Sequence, residues 1–246
     1  MRSTDIQMIA EQLTVARRKG ARISIPADQA PREIAECYAI QDAVVSALGS
    51  PVVGWKILPA PSGEMVTAPI LASGLVAEGG TWRVTGGEPA GIELEIAYRM
   101  ARDVPAEASA EAILDCVASA HVVFELCQSR LADPGNQPRQ VALADCVSNS
   151  GIVIGDAVQN WRGTDLKGLA GRLLVDGGVH VEGKSTDPFR ALSLLPAALA
   201  GRGKRLEAGQ TVITGSLIGM NWLTGRHALE GLIDGCGRVR AILHQD

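Results

Sequence analysis

Three glutamates hold the chemistry this sequence could do: Glu93 and Glu95 in Gly91-Ile-Glu-Leu-Glu-Ile-Ala-Tyr98, and Glu125 in His121-Val-Val-Phe-Glu-Leu-Cys127. Each lies in a strand-like run. Side chains alternate between the faces of a strand, so Glu93 and Glu95 share one face about 7 Å apart. Glu125 has apolar same-face neighbours, Val123 and Cys127. An ionised carboxylate there would need a partner or would take up a proton. A divalent cation answers both needs, and a set of carboxylate oxygens points to Mg²⁺ or Mn²⁺ rather than zinc. An ordinary half-solvated strand alternates in the same way, with Ile92, Leu94 and Ile96 inward, and on the residues alone that reading stays open.

Lys56 lies in Val52-Val-Gly-Trp-Lys-Ile-Leu58, otherwise apolar. Burial there would draw its pKa down toward acid/base use. A lysine snorkelling from an edge strand is the plainer alternative. Beside a carboxylate-held cation that polarises a 2-oxo acid, a lysine that moves protons would make enolisation easy.

The elements that position these groups begin with helices. Ile6, Ile9, Leu13 and Ala16 recur at helical spacing from Ser3 or Thr4, and Gly20 closes that helix. A second is expected from Pro31 to Gly49. The period then changes to short strands at 51–57, 81–84, 91–99, 121–127, 151–155, 172–176, 210–214 and 238–243, with Gly79-Gly80, Gly86-Gly87 and Gly177-Gly178 as turns. Helices are expected at 107–119 and at 187–201, the latter kinked or restarted at Pro196. The expected class is α+β, with an N-terminal helical segment (1–50) packed on a β-rich catalytic body (51–246) that forms one structural unit.

Composition sets limits. A chain of 246 residues, 46% hydrophobic and 20% charged, can bury a large core. Its formal net charge of −4 includes no block of like charge, which argues against nucleic acid or an anionic membrane as partner. The polar residues of the first turns leave no signal core, and no apolar run approaches the roughly 20 residues that span a bilayer. The expectation is a cytoplasmic protein acting on a small molecule. Five scattered cysteines without Cys-x-x-Cys spacing read as reduced core thiols. Gly201-Arg-Gly-Lys-Arg205 lacks a phosphate-loop pattern, the histidines have no metal-ligand spacing, and four isolated tryptophans form no stacking platform.

Tyr38-Ala-Ile-Gln41, Val53-Gly-Trp-Lys-Ile57, Glu93-Leu-Glu95, Phe124-Glu125, Asp145-Cys-Val-Ser-Asn-Ser-Gly151 and Leu206-Glu-Ala-Gly-Gln-Thr-Val-Ile-Thr-Gly-Ser216 stand in an ordered set. That set resembles the 2-oxopent-4-enoate hydratase and 4-oxalocrotonate decarboxylase branch of the fumarylacetoacetate hydrolase superfamily, from about 30 to 240. The resemblance implies a mixed β-sheet roll of the fumarylacetoacetase C-terminal type with peripheral helices, and a homo-oligomer. It implies Mg²⁺ (or Mn²⁺) on Glu93, Glu95 and Glu125, with Lys56 and Asp145 catalytic, and with Ser148, Gly215 and Ser216 binding a 2-oxo acid. The implied activity is addition of water to a 2-hydroxy-2,4-dienoate in aromatic-compound degradation. The alternatives are decarboxylation of a 2-oxo-3-enedioate and a catalytically weak 2-oxo-acid-binding homologue. Hydrolysis of a carbon–carbon bond ranks lower, because no histidine precedes His121.

Departures from the pattern bear on substrate. Leu58-Pro-Ala-Pro-Ser62 replaces a glycine-led turn, Cys146 replaces an asparagine, Ala68-Pro-Ile-Leu71 lacks an acidic neighbour, and Gly225-Arg226 replaces Gly-Asp. A second substrate carboxylate would need a cation, for which Arg32, Arg99, Arg130, Arg190 and Arg226 are candidates.

Overall fold

A computed structural model describes residues 2–59, 63–86 and 89–245. Most of the expected 58–62 turn and Gly87 lie outside the described residues. Two helices come first, α1 (Ser3–Lys19) and α2 (Ile34–Leu48). Gly20 ends α1 in the left-handed conformation that glycine adopts freely. Helix α2 starts later than Pro31 suggested. Glu33 is its N-cap, and Glu36 reaches back to accept the amides of Arg32 and Glu33, a cap stronger than the proline's preset φ.

Among the described residues, thirteen strands and three further helices follow. They are β1 (Val52–Pro59), β2 (Met65–Leu71), β3 (Leu75–Val76), β4 (Thr81–Val84), β5 (Ala90–Met100), α3 (Ala110–Asp115), β6 (Val117–Cys127), α4 (Arg139–Ala144), β7 (Asn149–Ala157), β8 (Ala170–Val175), β9 (Gly178–Lys184), α5 (Pro188–Ala200), β10 (Thr211–Ser216), β11 (Asn221–Leu223), β12 (Arg226–Ile233) and β13 (Gly237–Gln245). The first sheet runs β2-β1-β10-β5-β6-β7-β3, with β11 on β5; the second runs β4-β13-β12-β8-β9. Parallel and antiparallel pairs mix, as β1 lies parallel to β10 and β10 antiparallel to β5.

The two sheets close on one another over Trp55, Ile92, Leu94, Ile96, Phe124 and Leu126 from the first and Leu173, Leu229, Val239 and Leu243 from the second. Gly231 marks one close approach. A Cβ there would lie 2.6 Å from Leu94 and 2.7 Å from Phe124. Helices α1, α2 and α4 cover the opposite side through Ile9, Leu13, Cys37, Ile40, Val141 and Leu143. Tyr38 and Gln41 serve this packing: the Tyr38 hydroxyl accepts the Thr67 amide, and Gln41 donates to Leu143 O and accepts from Arg202.

Three expectations change. The 107–119 helix is only six residues long, because Val117 already belongs to β6. Pro196 sits inside a continuous α5, and the helix turns Leu192, Leu195 and Leu199 into the core. Strands β2, β3, β9, β11 and β12 and helix α4 are additional.

Candidate active site and metal centre

Lys56 and Glu125 stand three strands apart in the order β1-β10-β5-β6, about 14 Å at ordinary strand spacing. Upright side chains on a flat sheet could not meet across that gap. Yet Lys56 Nζ donates to Glu125 Oε1 at 2.8 Å and lies 3.6 Å from Glu93 Oε2. The first sheet is rolled with this face inside.

Register concentrates the charges. Glu93 stands opposite Glu125 across β5 and β6, and Glu95 opposite Val123. The Glu125 side chain has no solvent exposure, that of Glu93 14%, and Glu95 is 1% exposed. Their floor is apolar, made of Ile70, Ala97, Val123, Ile152 and Ile213. The half-solvated strand is thereby excluded. Glu95 Oε2 accepts the Gly215 amide at 2.6 Å, where β10 slips register between Ile213 and Ser216. Gly215 has φ 114°, a conformation that side chains disfavour, so its lack of Cβ lets this amide face Glu95.

Three carboxylates against one ammonium leave a formal excess of two negative charges in a dry site. Burial, then the neighbouring Glu125, pushes Glu93 up to about 7. The same causes, with Glu93 added, raise Glu95 well above its ordinary value. The lysine moves opposite to the sequence expectation. Burial alone would lower it, but Glu125, Glu93 and Glu95 outweigh that effect and raise it above the usual range for a lysine.

A divalent cation fits this donor set. Ligand atoms of Glu93, Glu125 and Cys127 lie within 4.8 Å of one another, and Glu125 Oε2 is buried without a hydrogen-bond partner among the described residues. An orphaned carboxylate oxygen is costly unless something positive faces it. The Cys127 thiol is raised by burial and by Glu125, which keeps it protonated and a poor ligand for a hard cation. Glu95 lies outside that tight group.

Sequence reasoning missed Asn149 and the Val147 carbonyl. Asn149 Nδ2 donates to Glu125 Oε1 at 2.9 Å, orienting the carboxylate from β7. Val147 O lies 3.5 Å from Lys56 Nζ. It is aimed by a turn in which Cys146, Val147 and Ser148 all have positive φ, 53°, 50° and 63°. Such residues are held against a cost of about 1–3 kcal/mol each by their surroundings, and the holder here is Asp145. Its carboxylate takes Arg130 Nε at 2.6 Å, the Arg130 amide at 3.0 Å and the Ser129 hydroxyl at 3.3 Å. Asp145 is thus committed to a buried ion pair and is not brought into hydrogen-bond contact with Lys56 or the glutamates. Ser148 lies in the same turn, and the Ser216 hydroxyl accepts the Ile218 amide and donates to Gly219 O.

Beyond Lys56, on the face of β1 that Leu58 shares, opens a cavity of about 570 Å³. Leu58, Val66, Leu143 and Val147 line it, with Arg32, Arg139 and one carboxylate, Glu64. Neither arginine has a carboxylate within ion-pair distance among the described residues. Of the other candidate arginines, Arg130 is spent on Asp145, and Arg99, Arg190 and Arg226 are exposed elsewhere.

Comparisons with known proteins bear on the fold. No protein-family model matches the chain. Two curated relatives, 2-keto-4-pentenoate hydratases of Burkholderia vietnamiensis and Paraburkholderia phymatum, are 31% and 30% identical over 155 residues. The match takes in 61% of this chain and 59% of the length of each relative. Among solved structures, 4-oxalocrotonate decarboxylase from Pseudomonas putida G7, complexed with magnesium and adipate, superposes with TM-score 0.86 at 18% identity. It covers 100% of this chain and 99% of its own. A 5-carboxymethyl-2-hydroxymuconate delta-isomerase from Mycobacterium smegmatis follows at TM-score 0.60 and 11% identity, over 80% of this chain and 81% of its own. The α+β roll is that of these enzymes. The resemblance read in the sequence, to the hydratase and decarboxylase branch of the fumarylacetoacetate hydrolase superfamily, is borne out.

Proposed function

We propose that the chain is a divalent-metal-dependent lyase that adds water to a 2-hydroxy-2,4-dienoate, giving a 4-hydroxy-2-oxo acid. The observation that carries this is the buried contact of Lys56 with a glutamate whose second oxygen has no hydrogen-bond partner among the described residues. Glu93, Glu95 and Glu125 would hold Mg²⁺ (or Mn²⁺), the cation named in the decarboxylase complex. When bound, it supplies electrophilic pull on the carboxylate and 2-oxo oxygens of the substrate. Lys56 Nζ carries protons to and from the carbon chain, and Glu125 and the Val147 carbonyl hold it in place. Asn149 fixes Glu125. Asp145 acts through the turn that it clamps, and Ser148, Gly215 and Ser216 line the approach. Glu93→Gln and Glu125→Gln test the reading: turnover should vanish with the fold retained, and unchanged activity would sink it.

Decarboxylation of a 2-oxo-3-enedioate is a second reading, favoured by Arg32 and Arg139 in the cavity past Lys56. A distal carboxylate would meet them there. Arg32→Gln with Arg139→Gln should then raise KM for dicarboxylates by roughly tenfold and leave monocarboxylates unchanged. The five cysteines are free and buried, which suits a reducing compartment such as the cytoplasm. No helix among the described residues is long and apolar enough to cross a membrane. Self-association into a homo-oligomer belongs to the same reading.

A further inference from the structure

A second polar cavity, of about 340 Å³, lies between the end of α1, strand β4 and the segment joining β6 to α4. Arg17, Arg83, Arg130, Thr81, Thr85 and Ser150 line it, and no aspartate or glutamate does. Arg130 is already satisfied: Asp145 takes its Nε and its terminal nitrogens reach Asn149 O, Ser150 Oγ and Asp145 O. Arg17 is not. Its one hydrogen bond, to Ser150 O, is long at 3.4 Å, and it has no carboxylate within ion-pair distance among the described residues. Arg83 likewise has no acidic partner there; it meets only His244 Nδ1, at 3.2 Å.

Arg17 is half-buried, and its five donors meet a single long protein acceptor and no facing carboxylate among the described residues, so the guanidinium is open to an anionic partner in the cavity. We propose that this cavity is a binding site for a small oxyanion, a phosphate or a compact carboxylate, centred on Arg17. The planar fork of Arg17 suits two oxygens of such an anion, with the Thr81, Thr85 and Ser150 hydroxyls as further partners. Burial, then the neighbouring Arg130, also pushes the pKa of Arg17 down to about 10. The cavity is separate from the glutamate cluster. Ser150 and Asn149 are successive residues of β7, and alternation sends them to opposite faces, Asn149 toward Glu125 and Ser150 toward Arg17.

The test uses the full chain treated with chelator, so that no cation at the glutamates can bind the probe. Inorganic phosphate and succinate are titrated by calorimetry and by thermal shift at matched ionic strength, on the wild type, Arg17→Gln and Arg83→Gln. The site predicts saturable binding and a rise in Tm of the wild type. Arg17→Gln should lose that rise while being at least as stable as the wild type without anion, and Arg83→Gln should weaken binding roughly tenfold. Equal shifts in wild type and Arg17→Gln would overturn the proposal, because they report general salt effects on stability. So would the lack of any shift at about 20 mM probe, well above a millimolar Kd. A fall in Tm and in assembly mass of Arg17→Gln without anion would also overturn it, by assigning Arg17 to a contact between copies of the chain.

Discussion

Glu93 and Glu125 face each other in register on neighbouring antiparallel strands, and Lys56 Nζ lies 3.6 Å and 2.8 Å from their carboxylates. Like charges directly opposite each other destabilise a sheet pair, and one lysine cannot neutralise two glutamates with Glu95 beside them. The arrangement is stable with protons on the carboxylates or with a cation among them. Glu125→Gln should therefore weaken Mg²⁺ binding by at least tenfold while leaving the metal-free protein as stable as the wild type or more so. Calorimetric titration and thermal melts of both forms measure this. Unchanged affinity would remove Glu125 from the metal site.

Asn149 does not touch the reacting centre except through Glu125. Its replacement by alanine should cost about 10–100-fold in metal affinity, as loss of a partner that orients a ligand usually does. The deficit should shrink as Mg²⁺ is raised to saturation, which separates lost binding from lost chemistry in a kcat against metal plot.

Asp145 and Arg130 form a buried pair whose side chains are 2% and 5% exposed. Asp145→Asn leaves the arginine uncompensated and should destabilise by about 3–5 kcal/mol, read by urea denaturation. Loss of turnover with full stability would instead place Asp145 at the substrate.

Much of this was legible in the sequence, for physical reasons. A charge in an apolar strand is conspicuous, so Glu93, Glu95, Glu125 and Lys56 stood out, and the helix closed by Gly20 had both period and cap. The rest was set by distant partners. Arg130 and Asp145 lie 15 residues apart with no periodic relation, and the left-handed turn they hold uses Cys, Val and Ser rather than glycine. Pro69 hid β2, since proline argues against a strand except at a sheet edge, which is where β2 lies. The direction of the Lys56 shift depends on carboxylates from β5 and β6 that a reading of β1 alone does not contain.

Gly54 sets the separation of β1 and β10. A Cβ there would stand 2.1 Å from Thr211 O, which is backbone and cannot swing aside. Gly54→Ala should cost about 1–3 kcal/mol and, by shifting Lys56 two residues away, lower kcat more than it raises KM. Thermal melts and steady-state kinetics check both.

On the second sheet, His227 Nδ1 lies 2.7 Å from Asp176 Oδ2. The hydrogen bond to Asp176 raises His227 above its ordinary 6.5, and the same bond lowers Asp176 below 3.8. A raised histidine contributes stability that is complete below its unfolded pKa and fades as pH climbs through the folded one; a lowered aspartate contributes above its unfolded pKa and fades in acid. The pair should therefore stabilise most between about pH 4 and 6.5. The Tm deficit of His227→Gln, small for so exposed a pair, should shrink as pH rises past 6.5. A deficit constant to pH 8.5 would assign His227 a role in packing alone.

The proposed activity is that of a metal-dependent lyase built on Glu93, Glu95, Glu125 and Lys56. The most direct measurement is the ultraviolet-monitored consumption of 2-hydroxydienoates and 2-oxo-enedioates by the full chain, with Mg²⁺ and with chelator, while carbon dioxide is assayed in parallel. Chelator-sensitive loss of the dienoate chromophore, restored by Mg²⁺ and without gas release, is the result predicted. Turnover that survives chelation, or none on any member of the panel with Mg²⁺ bound, would contradict it.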